Sequence, residues 1–181
     1  MTDTPPPPLD PARIADLLAA AADIVVAEFR GLGDAGCRWS PEPGEWCANE
    51  VLGHIVEAER RGFAGRIRTL LAEDDPSFEG WDQPAVAAAR GDCAKPSATL
   101  LDEFLPLRAA SVELVRGLSP TDLDRSGLHA KVGRISVGTI AAEWVHHDRN
   151  HIRQILAIGQ SWAWPNMGND RLFSDPSAWG E

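Results

Sequence analysis

The chain has no apolar run approaching the ~20 residues a helix needs to span a bilayer, no cluster of lysine and arginine, and no closely spaced pair of cysteines. Each absence removes a class of protein. The N-terminus, MTDTPPPPLD, has neither a basic start nor an apolar signal segment, so the expectation is a protein that stays in the cytoplasm. With no basic patch to offset it, a formal net charge of −10 gives a field that repels phosphate backbones and anionic lipid. Neither nucleic acid nor membrane is an expected partner. Cys37, Cys47 and Cys93 are odd in number and far apart, which argues against a disulfide framework and against a thiolate zinc knuckle, so free thiols are predicted. Cys47 would be reactive if it lay at a helix N-terminus, although a small buried apolar role is the commoner fate. The alternation of a half-buried strand is also missing.

What is present is helical. At 181 residues, with 44% hydrophobic and 24% charged residues, the chain suits one packed domain. Four segments carry the 3.6-residue period. The first begins at Asp10, an N-cap followed by Pro11, buries Ile14, Leu17, Leu18, Ala21, Val25 and Phe29, and is expected to stop before Gly31. The second runs from about Ala48 to about Glu73, with Val51, His54, Ile55, Ala58 and Gly62 inward. A long loop rich in Asp, Gly and Pro follows, in which Ala85 to Arg90 can form a helical turn. The third starts near Ser97 or Thr99, carries Pro106 as an expected kink, and ends by Ser119 and Pro120. The fourth has Ser136 as N-cap and an apolar stripe through Ile140, Trp144, Ile155 and Ile158, ending at Gly159. The fold class is therefore all-α, a four-helix bundle over residues 9–160, with a loose proline tail over 1–8 and an irregular segment over 161–181. Trp162, Trp164 and Trp179 fall in that last segment.

His147 and His151 are four residues apart, so on a helix they project from one face, one turn above the other. That face is the apolar one, and His54 lies on the inward stripe of the second helix. Two inward histidines on one helix and a third on another is how bundles assemble a metal site. Three neutral imidazoles buried together need partners, and one divalent cation satisfies all three. With no cysteine or obvious fourth ligand, water can fill the remaining position and be activated, which favours catalysis over a structural ion. Zinc, nickel, iron and copper all suit such a donor set. Glu57, Glu143 and Asp148 are the carboxylates one turn from, or beside, these histidines, and are candidates for orienting an imidazole or moving a proton. His146 points about 100° away. His129 is placed in a loop, and neither is expected to ligate.

GEWCANEVLGHIVEAE around His54 and ISVGTIAAEWVHHDRNHIRQI around His147 and His151 resemble the DinB/YfiT-like superfamily, through a Trp-x₇-His on the second helix and a His-x₃-His followed by Gln-Ile on the fourth. The resemblance implies a four-helix bundle, a divalent metal, commonly zinc or nickel, on three histidines matching His54, His147 and His151, and a homodimer. It further implies either transfer of a low-molecular-weight thiol such as bacillithiol or mycothiol to a small electrophile, the ion binding the thiol as thiolate, or metal-dependent hydrolysis of a small substrate. HDRNH also approximates the zincin pattern His-Glu-x-x-His, but Asp148 is one methylene short of the general-base glutamate and no third ligand follows His151. A non-catalytic metal or small-ligand binding protein is the remaining alternative.

Overall fold

The computed structural model describes residues 7–174. Pro5 and Pro6 of the proline tail, and Trp179, lie outside them. Helix α1 (Pro11–Arg38) starts where Asp10 Oδ1 accepts the Arg13 N–H at 2.7 Å, and buries Ile14, Leu18, Ala21, Val25 and Phe29. It passes the predicted stop at Gly31 and breaks at Gly33, whose φ of 62° only glycine adopts readily, before a last turn that buries Cys37.

The predicted second helix is one helical segment in three parts: α2 (Ala48–Glu57), a wide π-turn (Ala58–Phe63) and α3 (Ala64–Ala72). At Gly65 a Cβ would collide with the carbonyl of Arg60, so a residue without one is what lets the wide turn close. The π-turn matters to function because it sets Phe63 flat against Trp144, 5.2 Å between ring centres, and edge-on to His147 at 5.0 Å. Such turns recur where a helix is bent to serve a site.

The loop after α3 contains β1 (Ser77–Phe78) and α4 (Gln83–Arg90), the latter capped by Asp82. Helix α5 (Ser97–Arg116) runs on through Pro106. Then β2 (Ser126–His129) and β3 (Gly133–Ser136) form a hairpin, with β1 parallel to β2 and Phe78 opposite His129. This small sheet was not expected, and His129, placed in a loop by sequence, is on its middle strand. Strands of two and four residues are too short to show alternation. Helix α6 (Val137–Ala163) has Ser136 Oγ accepting the Thr139 N–H and continues past Gly159. The extra turn is held by Trp162, 5.3 Å from Trp39, an anchor that offsets the roughly 1 kcal/mol cost of a helical glycine. Short turns and α7 (Arg171–Ser174) follow, so the segment expected to be irregular is largely helical up to there. No described helix is long and apolar enough to cross a membrane.

The cysteine expectation is corrected. Cys47 and Cys93, 46 residues apart in sequence with Cα atoms 6.2 Å apart, form a disulfide, and only buried Cys37 is free. Sequence spacing could not reveal it, because the pair meets only when the segment after α4 folds back over the N-terminus of α2. There Asn49 Nδ2 donates to the carbonyls of Asp92 and Lys95. Cys47 is indeed the N-cap of α2, but as a disulfide it offers no thiolate.

The bundle has two apolar clusters. One contains Leu18, Phe63, Ile67, Val112, Ile140 and Trp144, and the other Val25, Leu52, Ile55, Phe104, Ile152 and Ile155. On three of the helical segments buried polar residues fall between the two: Glu59 on the π-turn, Arg108 on α5, and His147 and Asp148 on α6. A polar layer thus crosses the middle of the core.

Candidate metal centre

Helix α6 carries His147 and His151 on the same side, and α2 brings His54 up to them. His54 Nε2 and His147 Nε2 are 3.1 Å apart, and one nitrogen from each of the three histidines lies within 4.8 Å of the others. The ring centres are 5.2, 4.6 and 4.4 Å apart for the pairs 54–147, 54–151 and 147–151. Ligand nitrogens about 2.0–2.1 Å from an ion stand roughly 2.9–3.4 Å apart for angles between a right angle and the tetrahedral value, so the Nε2 pair fits one ion without rearrangement. Gln154 Oε1 is 3.0 Å from His151 Nδ1, where it can accept that N–H and leave Nε2 with its lone pair. His147 Nδ1 is buried without a hydrogen-bond partner.

The surroundings of His54 and His147 keep those two rings neutral. Burial, with the neighbouring His151 adding to it, pushes His54 down to about 4, and burial, then His151 and His54, pushes His147 down to about 3. Trp46 packs on His54 at 5.4 Å and Trp81 stacks on it at 6.2 Å. The Trp-x₇-His spacing noted in the sequence is this contact between Trp46 and His54. Uncharged nitrogens with their lone pairs turned toward one point are what a divalent cation requires.

The three carboxylates fall differently. Glu57 is not directed at the imidazoles: it accepts from Arg61 Nε at 2.7 Å and Arg90 Nη1 at 2.8 Å. Arg90 in turn donates to Glu103 and Asp92. Asp148, expected to help the imidazoles, has both oxygens on Arg108, at 2.5 and 3.2 Å. Arg108 also donates from Nε to Glu59 and from Nη1 to the Leu18 carbonyl, so all three of its nitrogens are engaged. Burial pushes Glu59 up, with Arg108 opposing it. Both corrections have one cause: a buried carboxylate beside a guanidinium is held by it. Glu143 remains exposed and lines the same cavity as His147. His146 is exposed, as expected, and pairs with Asn150.

Two cavities adjoin the trio. One, of about 560 Å³, lies toward the C-terminal end of α6, between His151, Gln154 and Ser161 and the Pro41, Glu45 and Trp46 loop. The other, of about 230 Å³, lies toward its N-terminal end, lined by His147, Phe63, Arg66, Trp81, His129 and Glu143 among others. Sequence reading missed Arg66, Trp81 and Phe63, which come to the site only through the π-turn and the loop after α3.

The sequence profile of the DinB superfamily matches residues 3–155. Among curated proteins, one from Oceanobacillus iheyensis is 25% identical over 121 residues, 67% of this chain and 69% of that protein. A second from the same organism is 25% identical over 112 residues, 62% of this chain and 64% of that protein, and one from Bacillus mycoides is 22% identical over 121 residues, 67% and 69%. All three carry provisional names as metal-dependent hydrolases. Among solved structures, YfiT from Bacillus subtilis superposes with a TM-score of 0.77 at 16% identity, covering 89% of this chain and 94% of its own. It is described, provisionally, as a metal-dependent hydrolase with an unusual four-helix bundle topology. At that identity the likeness is one of fold.

Proposed function

Because the chain belongs to the DinB superfamily, we propose that His54, His147 and His151 hold one divalent ion, zinc or nickel in type, and that the site transfers a low-molecular-weight thiol, of the bacillithiol or mycothiol kind, to a small electrophile. The observation that carries the transfer reading is the pair of separate cavities on the two sides of the imidazoles, about 560 Å³ at His151 and about 230 Å³ at His147. A two-substrate reaction needs two such spaces. A bound ion supplies Lewis acidity that lowers the pKa of a coordinated thiol or water.

The chain's own residues do the rest. Gln154 fixes the His151 tautomer, and Trp46 and Trp81 shield His54 from solvent. Glu45, Gln154 and Ser161 give the larger cavity a polar rim suited to a hydroxyl-rich thiol. Glu57 and Asp148 are occupied by arginines, so neither is free to take a proton from water. A thiol, far more acidic than water, has less need of a base.

Hydrolysis is the second reading, favoured by the names of the curated relatives and by Glu143, the carboxylate that lines the smaller cavity. The two differ in what they ask of Glu143. Metal-loaded protein is given bacillithiol or mycothiol with monochlorobimane, and separately a panel of small esters and amides. Metal-dependent thiol consumption that survives Glu143→Gln supports transfer. Ester or amide cleavage without thiol, abolished by Glu143→Gln, replaces it with hydrolysis.

A further inference from the structure

The smaller cavity contains hydrogen-bond donors that the protein does not match with acceptors. His129 is only 6% exposed, and both its ring nitrogens face N–H groups: the Lys131 backbone N–H lies 3.2 Å from Nδ1 and Arg66 Nη2 lies 3.1 Å from Nε2. A neutral imidazole has one lone-pair nitrogen, so it can accept from only one of them, and a protonated one can accept from neither. Arg66 has no carboxylate within ion-pair distance among the described residues. Its other hydrogen bond is to the Glu79 carbonyl at 3.4 Å, and its guanidinium lies over Phe78 at 5.9 Å. Lys131 also lines the cavity, and among the described residues no ion pair or side-chain hydrogen bond holds its ammonium. Glu143 lines it too, so the charged groups are two cations and one carboxylate, a locally positive place on a chain whose net charge is −10.

We propose that this cavity is a carboxylate-binding subsite, in which Arg66, His129 and Lys131 receive the anionic end of a small organic acid whose apolar body lies between Phe63 and Trp81. A carboxylate supplies the acceptors that these donors lack, and charge-assisted hydrogen bonds of that kind are the strong ones. The volume, about 230 Å³, is below the roughly 300 Å³ at which drug-sized pockets begin, which limits the acid to a small one. His147 lines the same cavity. On the reading proposed above, the acid's reacting group would then face the imidazoles, and only this orientation of the ligand rests on that reading.

The test compares phenylacetate with its neutral isostere phenylacetamide, by calorimetry and ligand-observed NMR, on metal-loaded and chelator-treated protein. The acid should bind about tenfold or more tighter than the amide. Arg66→Gln and Lys131→Gln should each cut that ratio several-fold while leaving metal content unchanged. Lys131 is exposed, so its variant keeps the test valid if Arg66→Gln fails to fold. Equal affinity for acid and amide, or a ratio unaffected by the substitutions, overturns the proposal. So does acid binding that vanishes on chelation and persists in Arg66→Gln, since the anion would then sit on the ion. A preference that survives in protein shown to bind no metal upholds the subsite while the metal reading fails.

Discussion

The polar layer across the core holds two clusters that both draw on the second helical segment and on α6, the first with α5 added, and they are satisfied in different ways. Arg108, Glu59 and Asp148 form a cluster in which the guanidinium uses every nitrogen on groups of the protein itself. His54, His147 and His151 form one in which two uncharged nitrogens face each other at 3.1 Å and a third, His147 Nδ1, has no partner. Both are largely removed from water and both interrupt apolar packing. In the first every guanidinium nitrogen is matched from within and Glu59 Oε1 is the one unpartnered atom, held beside its own counterion; in the second no counterion is present and the facing nitrogens call for one from outside, which is what a binding site requires.

Substitution should separate the two clusters most strongly. Asp148→Ala leaves a buried guanidinium short of its main partner and should cost about 3–5 kcal/mol of stability, read by denaturant unfolding. His147→Ala in metal-free protein should cost much less and instead abolish metal binding. If the two variants lose equal stability with the metal removed, the distinction fails.

The disulfide lies outside both clusters and measures how firmly the loop after α3 is held against α2. It closes a loop of 46 residues, so Cys93→Ser should lower stability by about 2–4 kcal/mol. Because that loop carries Trp81, the fluorescence of the variant should also report greater exposure of the wall beside His54.

Smaller in effect is the pH response of the imidazole cluster. The pKa values of His54 and His147 are depressed in the folded chain, to about 4 and about 3. The unfolded chain therefore binds more protons below the reference histidine pKa of about 6.5. The stabilisation from keeping these rings neutral is fully present above that pH and is lost as pH falls from it toward 4. Metal-free wild type should weaken over that range, and His54→Gln should flatten part of the slope. An unchanged slope in His54→Gln would show that the ring is not held neutral by its surroundings.

The helices were largely legible because their signals are local: Asp10 and Ser136 cap α1 and α6 through residues three positions on, and the i, i+4 spacing puts His147 and His151 on one face. Gly31 and Gly159 misled as stops because tertiary anchors, Cys37 and Trp162, carry the helices past them. The disulfide and the pairing of β1 with β2 were not legible, since each joins segments distant in sequence, and the strands of the hairpin are too short to show alternation. The same is true of Glu57 and Asp148, which look like helpers of the imidazoles until Arg90 and Arg108 arrive from other helices.

The central claim, that the unsatisfied cluster is a metal centre, is tested most directly by titrating cobalt into the metal-free chain while following its visible absorption. The wild type should bind one ion per chain with the spectrum of a nitrogen-ligated centre. His54→Ala, His147→Ala and His151→Ala should each lose it, while His129→Ala and His146→Ala should keep it. Full occupancy with an unchanged spectrum in His151→Ala would contradict the account.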